Sequence, residues 1–278
     1  MVATVQTVRG EVAASQLGVV LPHEHLLLDL VSNFGHQLLA FDFVLSDVDL
    51  ATDEAKRFVD AGGGCIVDVT TDARIGRQPE GLLQISNALD LHVVMGCGRY
   101  RESWYGSEID LLPATAIAEA FIHEIQFGVG DTGIRPGIIG EIGADSSFVT
   151  AKEERVLRAA ARAHTSTGLS ITLHSRASEV GMAQLDVLEE EGVDLRRVIV
   201  GHSDTYPHPD YHQALAERGA WVEFDTIRGM HQDVVDQRKR LVLAFIERGY
   251  ADRLLLSHDI CTMSGLSARG GTGYDYLL

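Results

Sequence analysis

Little in this sequence belongs to an exported, membrane-spanning or nucleic-acid-binding protein. Its 278 residues hold three cysteines, Cys65, Cys97 and Cys261, with no Cys-x-x-Cys spacing. That odd count argues against a disulfide framework and reads as reduced thiols in a cytoplasmic protein. No apolar run approaches the roughly 18 residues of a membrane helix. The N-terminal MVATVQTVRG has no apolar signal-peptide core. Basic charge is scarce. The 23 Lys and Arg against 40 Asp and Glu leave −17, a field that repels nucleic acid and anionic membrane and leaves a small molecule as the expected partner. Pro/Ser-rich linkers and low-complexity tracts are missing too.

What is present is a repeat of two patterns. β-branched runs occupy 17–25, 64–71, 91–98, 137–143, 169–175, 197–203, 220–226 and 253–259. Their apolar residues do not alternate strictly, which suits strands covered on both faces. Helix-period segments lie between them at 46–61, 79–90, 113–127, 150–167, 178–191, 208–218 and 232–249. In 150–167, Thr150 and Glu153 form a capping box, and Gly168 stands at the C-terminal cap. This order predicts an α/β protein, a TIM (β/α)8 barrel filling residues 1–278 as one domain. A doubly wound open sheet would carry a glycine-rich phosphate loop after its first strand, where PHEHLLLD stands instead. After the eighth strand the chain is too short for a last helix. Either the chain is truncated or the seam between last and first strands takes another cover, a homodimer being one form of it.

Polar residues gather where the strands end. His23 and His25 share a face of the first strand. Glu141 closes the fourth, His174 the fifth, His202 the sixth and Asp259 the eighth. In a closed barrel these ends meet at one mouth. Four imidazoles and two carboxylates there suit divalent cations, zinc first, with manganese, cobalt or iron also compatible. The remaining histidines, His36, His92, His123, His164, His208, His212, His231 and His258, read as surface or packed residues. Asp68 and Thr70 face the same interior in a structural role, and Cys97, with no base beside it, reads as packing. Trp104, Tyr105 and Trp221 read as core or loop anchors.

The strings LGVVLPHEHLLLD, GIIGEIG, ITLHS, VIVGHSDT, EFDTI and LLLSHDI resemble the phosphotriesterase family of the amidohydrolase superfamily, in the homology-protein branch whose fourth strand supplies a glutamate. The resemblance implies two divalent metal ions. His23, His25 and Asp259 would hold the more buried one, His174 and His202 the more exposed one, and Glu141 would bridge them. It further implies a hydroxide shared between metals about 3.5–4 Å apart that attacks a carbonyl or phosphoryl centre, with Asp259 taking its proton. The implied substrates are lactones, esters or amides, with phosphotriesters as a side activity.

Two positions depart from the archetypal pattern. Thr205 and Thr226 stand where an Asp–His proton shuttle would be. Tyr100 matches a tyrosine that lies beside the hydroxide in the lactonase branch, and is a candidate substrate contact. Arg99, Arg176 and Arg228, with Arg101 beside Tyr100, fall on loops expected at the mouth. Guanidinium groups there favour a substrate with a carboxylate, phosphate or sulfonate tail. Two other readings compete: a TatD-like metal-dependent deoxyribonuclease, which the acidic field disfavours, and a small-ligand-binding protein that keeps the barrel without turnover.

Overall fold

The computed structural model describes residues 3–32, 41–229 and 231–278; His36 lies outside them. The chain starts with a hairpin, β1 (Thr4–Thr7) and β2 (Gly10–Ala13), absent from the sequence-based expectation. Val8 N–H donates to Val93 O at 2.9 Å and Arg9 pairs with Asp90 at 2.7 Å, which ties the hairpin to the start of a barrel strand. The first barrel strand, β3 (Val19–Glu24), follows, then a short ribbon of β4 (Leu28–Asp29) with β5 (Val44–Leu45). From there helices and strands alternate: α1 (Val48–Asp60), β6 (Gly63–Asp68), α2 (Pro79–Leu89), β7 (His92–Cys97), then a four-residue turn of helix α3 (Glu108–Leu111) and α4 (Ala114–Phe127). The series continues with β8 (Ile138–Gly143), α5 (Ala151–Thr167), β9 (Ile171–His174), α6 (Val180–Glu190) and β10 (Val198–Gly201). It ends with α7 (Pro209–Glu217), β11 (Trp221–Phe224), α8 (Gln232–Glu247) and β12 (Leu254–Leu256).

The eight strands run β3-β6-β7-β8-β9-β10-β11-β12 in one parallel sheet. The sheet curls into a nearly closed TIM-type barrel. Its seam is joined beyond the strand ladder: Asp259 N–H donates to His23 O at 3.3 Å, and His23 N–H to Ser257 Oγ at 3.2 Å. Glu24 completes the join. Its carboxylate, fully buried, accepts from Ser257 Oγ, His258 N, His258 Nδ1 and Ile260 N, all within 2.9 Å.

Local chemistry sets the helices. In α5, Thr150 Oγ1 accepts from Glu153 N at 3.2 Å while Glu153 Oε2 accepts from Thr150 N at 2.9 Å. Gly168 ends the helix at φ +76, a left-handed turn that costs glycine little. Val156, Leu157, Ala160 and Ala163 are completely buried against the sheet, so one apolar stripe pays the helix's ordering cost.

Among the described residues no α-helix follows β12. The following segment turns back onto α1 instead. Glu54 accepts from the backbone of Ser267 and Ala268, Arg57 pairs with Asp275 at 3.0 Å, and Tyr274, 1% exposed, donates to His25 O at 2.8 Å. No helix among the described residues is long and apolar enough to cross a membrane.

Candidate metal centre

The C-terminal strand ends bring His23, His25, Glu141, His174, His202 and Asp259 together, all buried. Glu141 is the hub. Its Oε2 lies 3.2 Å from His23 Nε2, 2.8 Å from His174 Nδ1 and 3.1 Å from His202 Nε2, and its Oε1 lies 3.7 Å from His25 Nε2. Asp259 Oδ1 lies 3.5 Å from His25 Nε2 and 3.9 Å from His23 Nε2. Gly140 makes room for this hub: at φ +123, any Cβ there would collide with the Thr172 carbonyl oxygen.

Far-side contacts fix which nitrogen of His23, His25 and His202 faces inward, whereas His174 turns its Nδ1 to Glu141 and His202. Thr70 Oγ1 donates to Leu27 O at 3.0 Å, so it accepts from His25 Nδ1 at 2.9 Å and leaves the Nε2 lone pair toward Asp259. Asp225 Oδ1 takes His202 Nδ1–H at 2.7 Å. His23 Nδ1 faces Glu223 Oε2 at 3.0 Å and Asp225 Oδ2 at 3.1 Å. His23 Nε2 and His174 Nε2 are buried without hydrogen-bond partners. The Nε2 atoms of His23, His25 and His202 thus crowd the Glu141 carboxylate together with His174 Nδ1, an arrangement rich in ligand atoms that a bound cation would satisfy. Three overlapping triads, His23–His25–Glu141, Glu141–His174–His202 and His23–His202–Asp225, each have ligand atoms close enough for one ion.

The protonation pattern has the same cause. Burial works against charge on His202, but Asp225 and Glu141 overcome it and lift its pKa to about 10. Burial and the neighbouring His202, 2.7 Å from its Nδ1, push His174 down to about 3. Burial would raise Glu141, yet His174 and His23 hold it well below the usual carboxylate range. The cluster demands positive charge. His202 and Asp259 also sit in left-handed backbone conformations, φ +56 and +52, each costing roughly 1 kcal/mol or more, strain that proteins retain at working sites.

A cavity of about 240 Å3 opens over the cluster and is lined by His25, Glu141, His174, His202 and Asp259. Tyr100 lines it too, its ring edge-on to His174 at 5.2 Å. Burial pushes the Tyr100 hydroxyl well above its ordinary pKa, so it stays protonated. Arg176 and Arg228 reach the cavity wall as the sequence suggested. Arg99 does not. Its guanidinium is drawn off by Glu108 at 3.1 Å and Asp72 at 3.8 Å and lies 5.7 Å from the Phe121 ring. Arg101 lines the wall in its place, stacked 4.6 Å from Tyr100 and 4.4 Å from Trp104. Trp104 is a wall residue as well, while Trp221 binds Arg196 O at 3.1 Å far along the chain.

Sequence reasoning missed Glu223 and Asp225. Their signal was two acids, two positions apart, inside the apolar run WVEF followed by Asp-Thr; acids of that spacing on a barrel strand point into its interior. The two threonines at the shuttle positions have other work. Thr226 Oγ1 donates to Asp204 Oδ2 at 2.6 Å, and Thr205 Oγ1 accepts from Ala177 N at 2.7 Å.

A parallel eight-stranded barrel with His-x-His, Glu, His, His and Asp gathered at its mouth defines the metal-dependent hydrolases of this architecture. The chain belongs to the phosphotriesterase family, whose sequence model matches residues 3–278. It is 34% identical over 266 residues to the phosphotriesterase homology protein of Escherichia coli, covering 94% of this chain and 88% of the relative. It is also 34% identical over 249 residues to an N-acetyltaurine hydrolase of Dictyostelium discoideum, covering 84% of this chain and 66% of that longer protein. Among solved structures, a resiniferatoxin-binding protein from Rhodobacter sphaeroides superposes with a TM-score of 0.89 at 35% identity, over 99% of this chain and 86% of the other.

Proposed function

We propose that this protein is a binuclear metal-dependent hydrolase of a small carboxylic-acid derivative, a lactone, ester or amide, that carries an anionic group. In this reading His23, His25 and Asp259 would hold one divalent ion, zinc first among candidates, His174 and His202 would hold the second, and Glu141 would serve both. When bound, such a pair supplies an acidified water and a Lewis acid for the carbonyl oxygen.

The chain's own groups do the rest. Burial would raise the Asp259 pKa, but the bond to His25 and the charges of His202 and Arg228 keep it below the usual carboxylate range. Asp259 is therefore ionised at neutral pH. It takes the proton of the attacking water as the carbonyl C–O bond forms, and passes it to the alkoxide or amine as the scissile C–O or C–N bond breaks. Arg228, which donates to the Asp259 carbonyl and lies 3.8 Å from Oδ2, keeps that carboxylate aimed. Tyr100, protonated beside His174, is placed to donate to the substrate.

The observation that carries the reading is the inward convergence of ligand atoms on Glu141 with every opposing Nδ1–H of His23, His25 and His202 tied behind. The Rhodobacter relative's name favours a second reading, a ligand-binding protein. Release of free acid from lactones, aryl esters and N-acyl amines by zinc- or manganese-loaded protein, lost in His23→Ala, supports the hydrolase. Tight ligand binding with no turnover across that panel supports the binder.

A further inference from the structure

We propose that Arg176 recognises the anionic end of the substrate and that Thr205 positions it, an inference that rests on the hydrolase reading above and names its specificity residue. The arginines near the mouth are not equivalent. Arg99 is taken by Glu108 and Asp72. Arg101 is stacked between two aromatic rings and pairs with Asp145 at 3.4 Å. Arg228 donates to the Asp259 carbonyl and faces its carboxylate. Arg176 alone of these, among the described residues, has a guanidinium with no hydrogen bond or ion pair, yet it lines the cavity and follows His174 by two residues.

Arg176 is solvent-exposed, so its guanidinium is free to exchange water for a substrate anion without first breaking an ion pair. Arg176 lines the cavity, and a sulfonate, carboxylate or phosphate bound there can accept two guanidinium N–H groups at once. The loop that carries it is held rather than loose. Ala177 is at φ +55, and its N–H donates to Thr205 Oγ1 at 2.7 Å. Thr205 Oγ1 in turn donates to His202 O at 2.6 Å. Thr205 therefore links the Arg176 loop to the backbone of a cluster histidine, and pre-ordering of this kind lowers the entropy cost of binding. Arg176 and the cluster histidines line the same cavity of about 240 Å3, so one small molecule can present its anionic group to Arg176 and its carbonyl to the cluster.

The test separates binding from turnover. Calorimetry of the metal-loaded protein uses 4-oxopentane-1-sulfonate, a ketone that cannot be hydrolysed, and the neutral 2-hexanone. The wild-type protein binds the sulfonate at least about tenfold more tightly, the scale of a charge-assisted hydrogen bond. Arg176→Ala and Arg176→Gln abolish that preference and leave 2-hexanone affinity, metal content and melting temperature as they were. Thr205→Val weakens the preference severalfold, and Thr205→Ser restores it. A preference that survives in Arg176→Ala, or none in the wild-type protein, overturns the inference. If the preference depends on Arg176 but no lactone, aryl ester or N-acyl amine of the panel is hydrolysed, Arg176 is an anion-binding residue and the hydrolase reading falls.

Discussion

Asp225 grips His202 at two points: Oδ1 lies 2.7 Å from Nδ1, and the carboxylate oxygens accept the backbone N–H at 3.1 and 2.9 Å. The same carboxylate lies 3.1 Å from His23 Nδ1. One buried acid thus orients an imidazole on each side of Glu141, and in the proposed assignment those imidazoles serve different ions.

Asp225→Asn therefore weakens both ions together. The amide leaves at least one Nδ1–H without a charged acceptor, and changes of this kind in groups behind metal ligands typically cost roughly 10- to 100-fold in metal affinity. Chelator competition followed by metal analysis reads the effect. Loss of one ion with undiminished affinity for the other would show that Asp225 does not couple the two halves.

Glu24 carries the barrel seam. Glu24→Ala strands the His258 and Ile260 N–H groups and the His258 imidazole in a buried place. Each such loss costs about 1–3 kcal/mol, so urea unfolding should report a drop of about 3 kcal/mol or more. Glu24→Gln, which keeps one acceptor oxygen, falls between. A drop under about 1 kcal/mol would mean that β12 and β3 are held by other contacts.

The buried thiols give an alkaline limit. Burial pushes Cys65 and Cys97 from 9.0 up to about 12. A raised folded-state pKa means that the unfolded chain loses these protons first, so their contribution is intact below pH 9 and is lost as pH rises toward 12. The urea midpoint of the wild-type protein should fall from pH 8 to pH 10, and fall less in Cys65→Ala. Native alkylation of Cys65 and Cys97 should stay slow across the same range, with fast labelling only after unfolding. Equal pH slopes in both proteins would remove the thiol explanation.

The barrel was legible because its strands are short apolar runs covered on both faces, and the observed β3 and β6 to β12 fall inside the expected runs apart from Gly63 at the start of β6. Histidines and acids at the ends of such runs stand out because a buried strand has no other reason to carry them. The hairpin β1–β2 did not stand out, since VQTVRGEVA buries little and resembles any polar lead-in. Sequence also could not sort the arginines. Arg99, Arg101 and Arg176 differ in the acids and rings that folding brings beside them, Glu108 for Arg99 and Asp145, Tyr100 and Trp104 for Arg101.

The most direct measurement is metal stoichiometry on folded protein, loaded with zinc or manganese, desalted and analysed by plasma mass spectrometry. Two ions per chain in the wild-type protein, with retention lost in Glu141→Ala, is the result expected from a carboxylate that serves histidines on both sides. A folded wild-type chain that retains no ion, or an Glu141→Ala variant that keeps both, would contradict the account.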